Sequence, residues 1–256
     1  MIPLAARGLV VRREGSEILR GIDLDAQGGE FIAVIGANGA GKSTLLAALA
    51  GLLRIDAGEV LLDQRPLADI APRDLAQLRA WLPQNPRAEW PLSVERMVAL
   101  GLGPRLRGFG EAGPEEQARI ATVLADTDLI ALRARAVTTL SGGELARAML
   151  ARALVADPAV LIVDEPLAGL DPQHAWDAAR RMRALAVEQG RLVIASIHDL
   201  NIALRRATRV WALHEGRLLA DGPPATTITA ALLGELFGMR AEIRGSGSSA
   251  YVDFAP

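Results

Sequence analysis

A glycine-rich segment near the start of the chain limits the folds that the sequence can adopt. Residues 36–44 read GANGAGKST, with a β-branched apolar run at 31–35 before them and a helix-favouring run at 45–49 after them. A strand, a glycine-rich loop and a helix in this order form a P-loop, in which backbone N–H groups and the helix N-terminus surround phosphate oxygens. The segment therefore predicts an α/β fold that binds phosphate groups.

The residue types of this loop have separate chemical roles. Glycines permit backbone conformations that a Cβ atom would penalise, so that successive N–H groups can face an anion. Lys42 is the single lysine of the chain, and its compact ammonium group reaches between phosphates where a planar guanidinium is too wide. Ser43 offers a hydroxyl group to Mg²⁺, and Thr44 can reach the α-phosphate. The predicted nucleotide-binding residues of the loop are Gly36, Asn38, Gly39, Ala40, Gly41, Lys42, Ser43 and Thr44.

Composition excludes several classes of function. The net charge is −2, so no overall basic field draws the chain to nucleic acid or anionic lipid. The chain has no cysteine, which excludes disulfides, thiolate metal sites and cysteine nucleophiles. Arginines interrupt the N-terminal segment, and no apolar run approaches the roughly 18–20 residues of a membrane span. We therefore expect a chain that is soluble by itself.

Hydrophobic periodicity predicts strands that alternate with helices, which is typical of a largely parallel sheet. In such sheets ligands bind beyond the carboxyl ends of the strands. The P-loop, the pair Asp164 and Glu165, and His198 all follow predicted strands. The predicted strands are 9–11, 18–24, 31–35, 59–62, 160–163 and 191–196, the first two forming an antiparallel edge unit around a turn at 14–16. The predicted helices are 96–100, 115–124, 144–155 and 173–189.

Two further clusters carry chemistry. Asp164 ends an apolar strand, the position of the carboxylate that holds Mg²⁺ in P-loop nucleotidases. Glu165 follows it and could orient or deprotonate an attacking water. Ser141 is a good N-cap for the next helix, and Gly142 and Gly143 leave N–H groups at the helix start open to an anion.

Together these motifs resemble the ATP-binding-cassette family. They occur in order over nearly the whole chain: the P-loop, Gln84 in WLPQN, LSGGE at 140–144, VLIVDEP at 160–166, AGLD at 168–171 and His198 in IASIHDL. The resemblance implies an α/β P-loop ATPase core with a largely parallel sheet, an antiparallel β edge subdomain and an inserted helical subdomain. The expected divisions are a core at 1–84 and 157–230, a helical subdomain at 85–156 and a short C-terminal extension at 231–256.

The resemblance also implies a working arrangement, with ATP and Mg²⁺ as cofactors. Two copies would pair head to tail, each ATP lying between the P-loop of one copy and Ser141, Gly142 and Gly143 of the other. Asp171 would cross the dimer interface. The implied catalytic residues are Glu165, His198, Gln84 and Lys42, and the implied metal ligands are Ser43, Gln84 and Asp164.

Three segments narrow the branch of the family. Residues 90–105, 198–224 and 235–238 resemble importers of iron-siderophores, haem and cobalamin. This resemblance implies a peripheral ATPase at the cytoplasmic face of the membrane, bound to permease subunits and served indirectly by a substrate-binding protein, with no nucleic acid partner. A zinc or manganese importer is the alternative within transport. A soluble cassette ATPase acting on nucleic acid or ribosomes, and a nucleotide-binding interaction module, are the alternatives outside it.

Two positions depart from the family pattern. The family usually places an aromatic residue near the end of the first strand to stack on adenine, and Arg13, or Arg12, stands there. A guanidinium can stack on a base, which predicts a relaxed base preference. Glu144 replaces the more common glutamine, and we expect its side chain to point along the helix. His174 and His214 match none of these motifs, and no function is assigned to them.

Overall fold

The computed structural model describes residues 2–84, 90–103 and 113–254. Parts of the predicted helical segment, at 85–89 and 104–112, lie outside the described residues, as do residues 1, 255 and 256. The strands are β1 (Leu4–Arg13), β2 (Ser16–Ala26), β3 (Phe31–Ile35), β4 (Ala57–Leu62), β5 (Arg65–Pro66), β6 (Arg79–Leu82), β7 (Val160–Val163), β8 (Leu192–Ser196), β9 (Arg209–His214), β10 (Arg217–Gly222), β11 (Ala241–Arg244) and β12 (Tyr251–Phe254). The helices are α1 (Lys42–Leu49), α2 (Pro72–Leu78), α3 (Val94–Ala99), α4 (Pro114–Asp126), α5 (Gly142–Leu154), α6 (Pro172–Val187), α7 (Leu200–Arg206), α8 (Pro224–Thr227) and α9 (Ala230–Phe237).

The apolar runs become the centre of a six-stranded sheet in the order β10-β9-β3-β8-β7-β6. All neighbours are parallel except β10, which is antiparallel to β9. Every residue of β3, β7 and β8 is buried, because helices cover both faces of a sheet of this kind. The parallel strands end at one edge, which brings together the segments that follow β3, β6, β7 and β8.

A second, antiparallel sheet in the order β2-β1-β4-β5 forms the predicted edge unit. Glu14 (φ 49°) and Gly15 (φ 81°) both have left-handed backbones in the hairpin turn, and such a turn matches the twist of two antiparallel strands. Strand β2 lies against the P-loop, since a Cβ atom on Gly41 would lie 3.0 Å from Cδ2 of Leu19 and 3.1 Å from the carbonyl oxygen of Ile18. The edge sheet is therefore a wall beside the predicted phosphate site.

Helices α3, α4 and α5 form a helical unit with a hydrophobic cluster of its own, which includes Val94, Leu124 and Met149. These helices overlap the three that periodicity predicts. Strand β6, which was not predicted from the sequence, joins the sheet beside β7 and ends two residues before Gln84. Its RAWL sequence is too short and too mixed to show a strand period. Within the described residues, no helix is long and apolar enough to cross a membrane.

Candidate functional site

The P-loop connects β3 to α1 with the glycine conformations that its sequence predicts. Gly36 (φ 150°), Gly39 (φ 81°) and Gly41 (φ 101°) all lie in the region that favours glycine. At Gly36 an added Cβ atom would also lie 2.2 Å from the carbonyl oxygen of Leu213, so that β9 excludes any side chain there. The loop therefore turns back on itself and presents N–H groups to one side, as an anion nest requires.

Lys42 begins α1 and turns back over the loop. Its Nζ atom donates hydrogen bonds to the carbonyl oxygens of Gly36, at 2.8 Å, and Ala37, at 3.0 Å, and the residue is only 6% exposed. Burial lowers the pKa of the Lys42 ammonium, and the charges of Glu165 and Asp164 oppose that shift. The ammonium is thus held over the loop, close to the carboxylates after β7.

A serine that was not predicted from the sequence holds the carboxylate of Asp164 and the backbone of Glu165. Ser196, the last residue of β8, is 1% exposed and donates from Oγ to Oδ1 of Asp164 at 2.7 Å. The same Oγ accepts a hydrogen bond from the backbone N–H of Glu165 at 2.7 Å. A polar residue closing a buried apolar strand could have signalled this role, because buried hydroxyl groups need partners.

Glu165 lies where three of the loops meet. Its Oε2 atom accepts a hydrogen bond from Nε2 of Gln84 at 2.6 Å, and its Oε1 atom lies 2.7 Å from Nε2 of His198. Its backbone is left-handed, with φ 49°, which is costly for a residue other than glycine. The structure therefore brings Gln84, Glu165 and His198 together from three different loops, and bonds to Gln84, Ser196 and His198 hold the strained residue.

The carboxylate of Glu165 is kept in its charged form. Burial is the largest single influence and by itself raises the pKa of Glu165. Hydrogen bonds from His198 and Gln84, with the charges of His198 and Lys42, together outweigh it and leave the pKa lowered. A base of this kind is ionised at neutral pH.

The residues at this edge fit a divalent cation that is shared with phosphates. Asp164 is 5% exposed and has one oxygen bonded to Ser196, so its carboxylate is oriented and desolvated. Ser43 is exposed at the start of α1. Among the described residues, no group of three or more His, Cys, Asp and Glu side chains could hold a metal by itself. A cation here would need further oxygens, which is the mode in which Mg²⁺ binds nucleotides.

The LSGGE loop begins α5 with a capping box. Ser141 accepts a hydrogen bond from the Glu144 backbone at 3.3 Å, and Oε2 of Glu144 accepts one from the Ser141 backbone at 2.7 Å. Glu144 thus folds back on its own helix start, and the expectation that its side chain points along the helix is wrong. Its hydrogen bonds with Ser141 lower its pKa. Gly142 and Gly143 line a cleft of about 340 Å³ together with Glu165 and His174, whereas no P-loop residue contributes to its described lining.

The AGLD turn, residues 168–171, leads into α6. Asp171 is the N-cap of that helix and accepts a hydrogen bond from the His174 backbone at 3.0 Å, while its other oxygen lies 2.5 Å from Nδ1 of His174. His174 is the second polar residue at this edge that the sequence analysis did not assign to a function. Its spacing of three from an N-cap could have indicated the contact.

The two candidates for the adenine-stacking position differ in their partners. Arg12 donates through Nη2 to Glu17 at 2.6 Å, and its backbone N–H donates to Asp56 at 2.7 Å. Arg13 is exposed at the end of β1, beside the hairpin turn. Arg12 is thus held in an ion pair with Glu17, whereas no ion pair among the described residues includes Arg13.

Comparisons with known proteins agree with this geometry. Residues 19–168 match the family model described as ABC transporter. The chain is 42% identical over 247 residues to the hemin import ATP-binding protein HmuV of Nocardia farcinica, covering 94% of this chain and 85% of that protein. It is 40% identical over 253 residues to the HmuV protein of Rhodopseudomonas palustris strain HaA2, covering 96% and 94% respectively.

Solved structures share the fold. A chain of a metal-chelate type ABC transporter in an inward-facing conformation superposes with a TM-score of 0.86 at 23% identity, covering 100% of this chain and 98% of that one. The cbiO1 protein of Clostridium perfringens, part of the ABC transporter complex cbiONQ, gives a TM-score of 0.77 at 30% identity, covering 87% and 89%. Because the family model matches more than half of the chain and the HmuV relatives are about 40% identical over most of it, the chain belongs to the ABC transporter family.

Proposed function

We propose that this chain is the ATP-hydrolysing subunit of an importer for haem. The observation that carries the ATPase assignment is Glu165, an ionised carboxylate held by Gln84 and His198 beside a buried lysine of a P-loop. The named relatives, which are hemin import ATP-binding proteins at about 40% identity over nearly the whole chain, support the choice of cargo.

In the proposed reaction, the residues of this chain have separate roles. The P-loop N–H groups and Lys42 bind the β- and γ-phosphates and stabilise charge as the γ-phosphoryl group leaves. Glu165 orients a water for in-line attack and accepts its proton. Its bonds to Gln84 and His198 fix the carboxylate, and His198 also reaches the γ-phosphate. Ser43, Gln84 and Asp164 would hold Mg²⁺, which neutralises phosphate charge when bound.

We further propose that two copies complete the site. Ser141, Gly142 and Gly143 carry a helix N-terminus suited to an anion, yet the cleft that the two glycines line does not include the P-loop of the same chain. A head-to-tail dimer with two-fold symmetry gives each of these loops a phosphate from the other copy and makes both sites equivalent. Asp171 then lies at the interface between the copies.

The dimer has a direct test. Glu165→Gln removes the base but keeps the size of the side chain, so ATP should hold this variant as a dimer in light scattering after gel filtration. Lys42→Ala in the same background is the control, because it removes the phosphate contact and should leave a monomer. A Glu165→Gln variant that stays monomeric with saturating ATP, or that hydrolyses ATP at the parental rate, contradicts the proposal.

We place the chain at the cytoplasmic face of the membrane, held there by permease subunits, with a substrate-binding protein acting indirectly. Three large apolar side chains in the segments that flank α3 and α4 are exposed, which suits a protein partner: Trp90 (74%), Leu100 (57%) and Ile130 (58%). If Trp90 contacts the permease, Trp90→Ala lowers cargo-stimulated ATPase activity and leaves the activity of the isolated chain unchanged.

The cargo is tested in proteoliposomes that contain this chain, its permease and the binding protein. We expect haem loaded on the binding protein to stimulate ATP hydrolysis and to enter the vesicles, with Glu165→Gln as the inactive control. Ferric siderophore, cobalamin, Zn²⁺ and Mn²⁺ are offered in parallel. Stimulation by one of these and not by haem would refute haem as the cargo while leaving the ATPase assignment intact.

We also propose that Arg13 takes the place of the adenine-stacking aromatic residue and relaxes base preference. A guanidinium can stack on a base in place of an aromatic ring, with weaker affinity and preference for adenine expected. We expect kcat/KM for GTP within about threefold of the value for ATP, and Arg13→Tyr to restore preference for ATP. Arg12→Tyr is the matched control, since Arg12 pairs with Glu17. Strong selectivity for ATP in the parent chain would contradict this idea.

A further inference from the structure

His174 contacts the AGLD turn through two hydrogen bonds to a single carboxylate. Its backbone N–H donates to Oδ1 of Asp171 at 3.0 Å, and its ring Nδ1 lies 2.5 Å from Oδ2. These contacts, the backbone bond first, lower the pKa of Asp171. The carboxylate at the end of the turn is therefore charged, and both of its oxygens are bound by the same residue.

The ring of His174 also faces the LSGGE loop, with room for about one methyl group between the ring and Gly143. A Cβ atom added to Gly143 would be 3.9 Å from Cγ and Cδ2 of His174 and 3.9 Å from Cδ2 of Leu170, an ordinary van der Waals distance. Gly142, Gly143, Gly169, Leu170 and His174 line the same cleft. One imidazole thus bonds to the turn before α6 and faces the start of α5 across the cleft.

These two segments, at 141–143 and 168–171, are the ones that the proposed dimer presents to the second copy. We propose that His174 is a positioning residue that fixes the carboxylate of Asp171 at the end of the AGLD turn, so that the turn meets the second copy in the correct conformation. The inference rests on the dimer described under the proposed function. His174 acts through Asp171, and it has no role in binding nucleotide to its own P-loop.

Exposure determines where the effect of this contact is measurable. In a single chain the side chains of His174 and Asp171 are 49% and 57% exposed. Exposed pairs of this kind contribute little to folding, because water competes for the hydrogen bond and screens the charges. A second copy that covers the pair removes that water and strengthens the same bond. Loss of the contact should therefore weaken association far more than it weakens the folded chain.

Two substitutions distinguish the effect of the hydrogen bond to Asp171 from the effect of the aromatic ring. His174→Asn places an amide N–H near the position of Nδ1 and keeps a donor to Asp171, but it removes the ring. His174→Phe keeps an aromatic ring at the same place in the cleft, but it has no donor. Both are made in the Glu165→Gln background, in which ATP is not consumed. The backbone N–H that caps α6 is present in both variants.

Three quantities are measured on each protein: the Kd of the ATP-dependent dimer by analytical ultracentrifugation, the affinity of the monomer for trinitrophenyl-ATP, and the Tm. For His174→Phe we expect the dimer Kd to rise about tenfold, the loss of one charge-assisted hydrogen bond. For His174→Asn we expect a rise of at most about threefold. Nucleotide affinity should stay within about twofold and the Tm within about 2 °C in both.

Each outcome decides the matter. A His174→Phe variant that dimerises as tightly as its parent overturns the inference, as does one whose monomer loses nucleotide affinity by the same factor. A His174→Asn variant as weak as His174→Phe also overturns it, because the hydrogen bond would then not be what positions the turn. If the Glu165→Gln parent itself fails to dimerise with ATP, the proposed dimer fails first and this inference fails with it.

Discussion

Replacing Ser196 by alanine should impair both the fold and the chemistry, because one hydroxyl group serves two residues of the site. Its Oγ atom donates to the buried carboxylate of Asp164 and accepts from the backbone of Glu165, each at 2.7 Å. The alanine leaves a buried charge with one hydrogen bond fewer and a backbone N–H without its acceptor. An unsatisfied buried donor costs about 1–3 kcal/mol, and a bond to a charged group is worth about 1.5–3 kcal/mol.

The two losses share one site and do not add fully, so we expect about 3 kcal/mol of unfolding free energy to be lost. For a chain of this size that corresponds to roughly 6–12 °C in Tm. The catalytic effect has a different origin. Glu165 is held in a left-handed backbone with φ 49°, and the Ser196 bond is one of the contacts that keep it there. Freed from it, the carboxylate moves relative to the phosphate, and we expect kcat to fall about 10–100-fold.

The assay compares Ser196→Ala with Val193→Ala, a truncation on the same strand at a residue that is also fully buried. Val193→Ala should lose about 2–3 kcal/mol of stability through its cavity and keep kcat within about twofold. Urea unfolding gives the stability, and ATPase assays well below the unfolding midpoint give kcat. The reasoning is refuted if a folded Ser196→Ala enzyme keeps the parental kcat, or if both variants lose kcat equally.

Three other substitutions have clear expected outcomes. Lys42→Arg should weaken ATP binding at least about tenfold although the charge is retained, because the buried ammonium fits between two carbonyl groups and a guanidinium does not. Titration calorimetry measures the affinity for ATP, and an affinity equal to that of the parent would contradict the prediction. His198→Ala removes hydrogen-bonding and charge contributions that lower the pKa of Glu165, so that pKa rises and the acidic limb of the residual ATPase profile should move to higher pH. The sign follows because Glu165 acts as a base only above its pKa. The lowered pKa of Glu165 also stabilises the folded chain at pH values above the ordinary pKa of a glutamate, and this contribution is lost as the pH falls through the pKa that Glu165 has in the folded chain. Glu144→Gln keeps an acceptor for the Ser141 backbone but removes a negative charge near the phosphate of the proposed dimer site, so the Kd of the ATP-dependent dimer should fall. A rise in that Kd would show that the charge is needed.

The strands that end at the site show which parts of the fold the local sequence predicts. The strands at 31–35 and 160–163 have the predicted bounds, because continuous β-branched runs are buried wherever a parallel sheet forms. Strand β6 was not predicted, because four residues of mixed polarity form a strand only when they can make backbone hydrogen bonds to β7. The register of β6 against β7 then brings Gln84 to Glu165, a contact across 81 positions of sequence.

By itself, the sequence determined the kind of chemistry. A glycine-rich loop with one lysine, a strand ending in two carboxylates and a serine-capped helix are local patterns, and their residue types are sufficient to indicate phosphate, Mg²⁺ and water. Only the tertiary structure decided which side chains serve others: Ser196 joins Asp164 to Glu165, and Gln84 and His198 hold the carboxylate of Glu165. Both roles depend on hydrogen bonds or packing contacts made between segments that follow different strands or precede different helices. Distances between such segments are set by packing of the whole chain, and no local pattern encodes them.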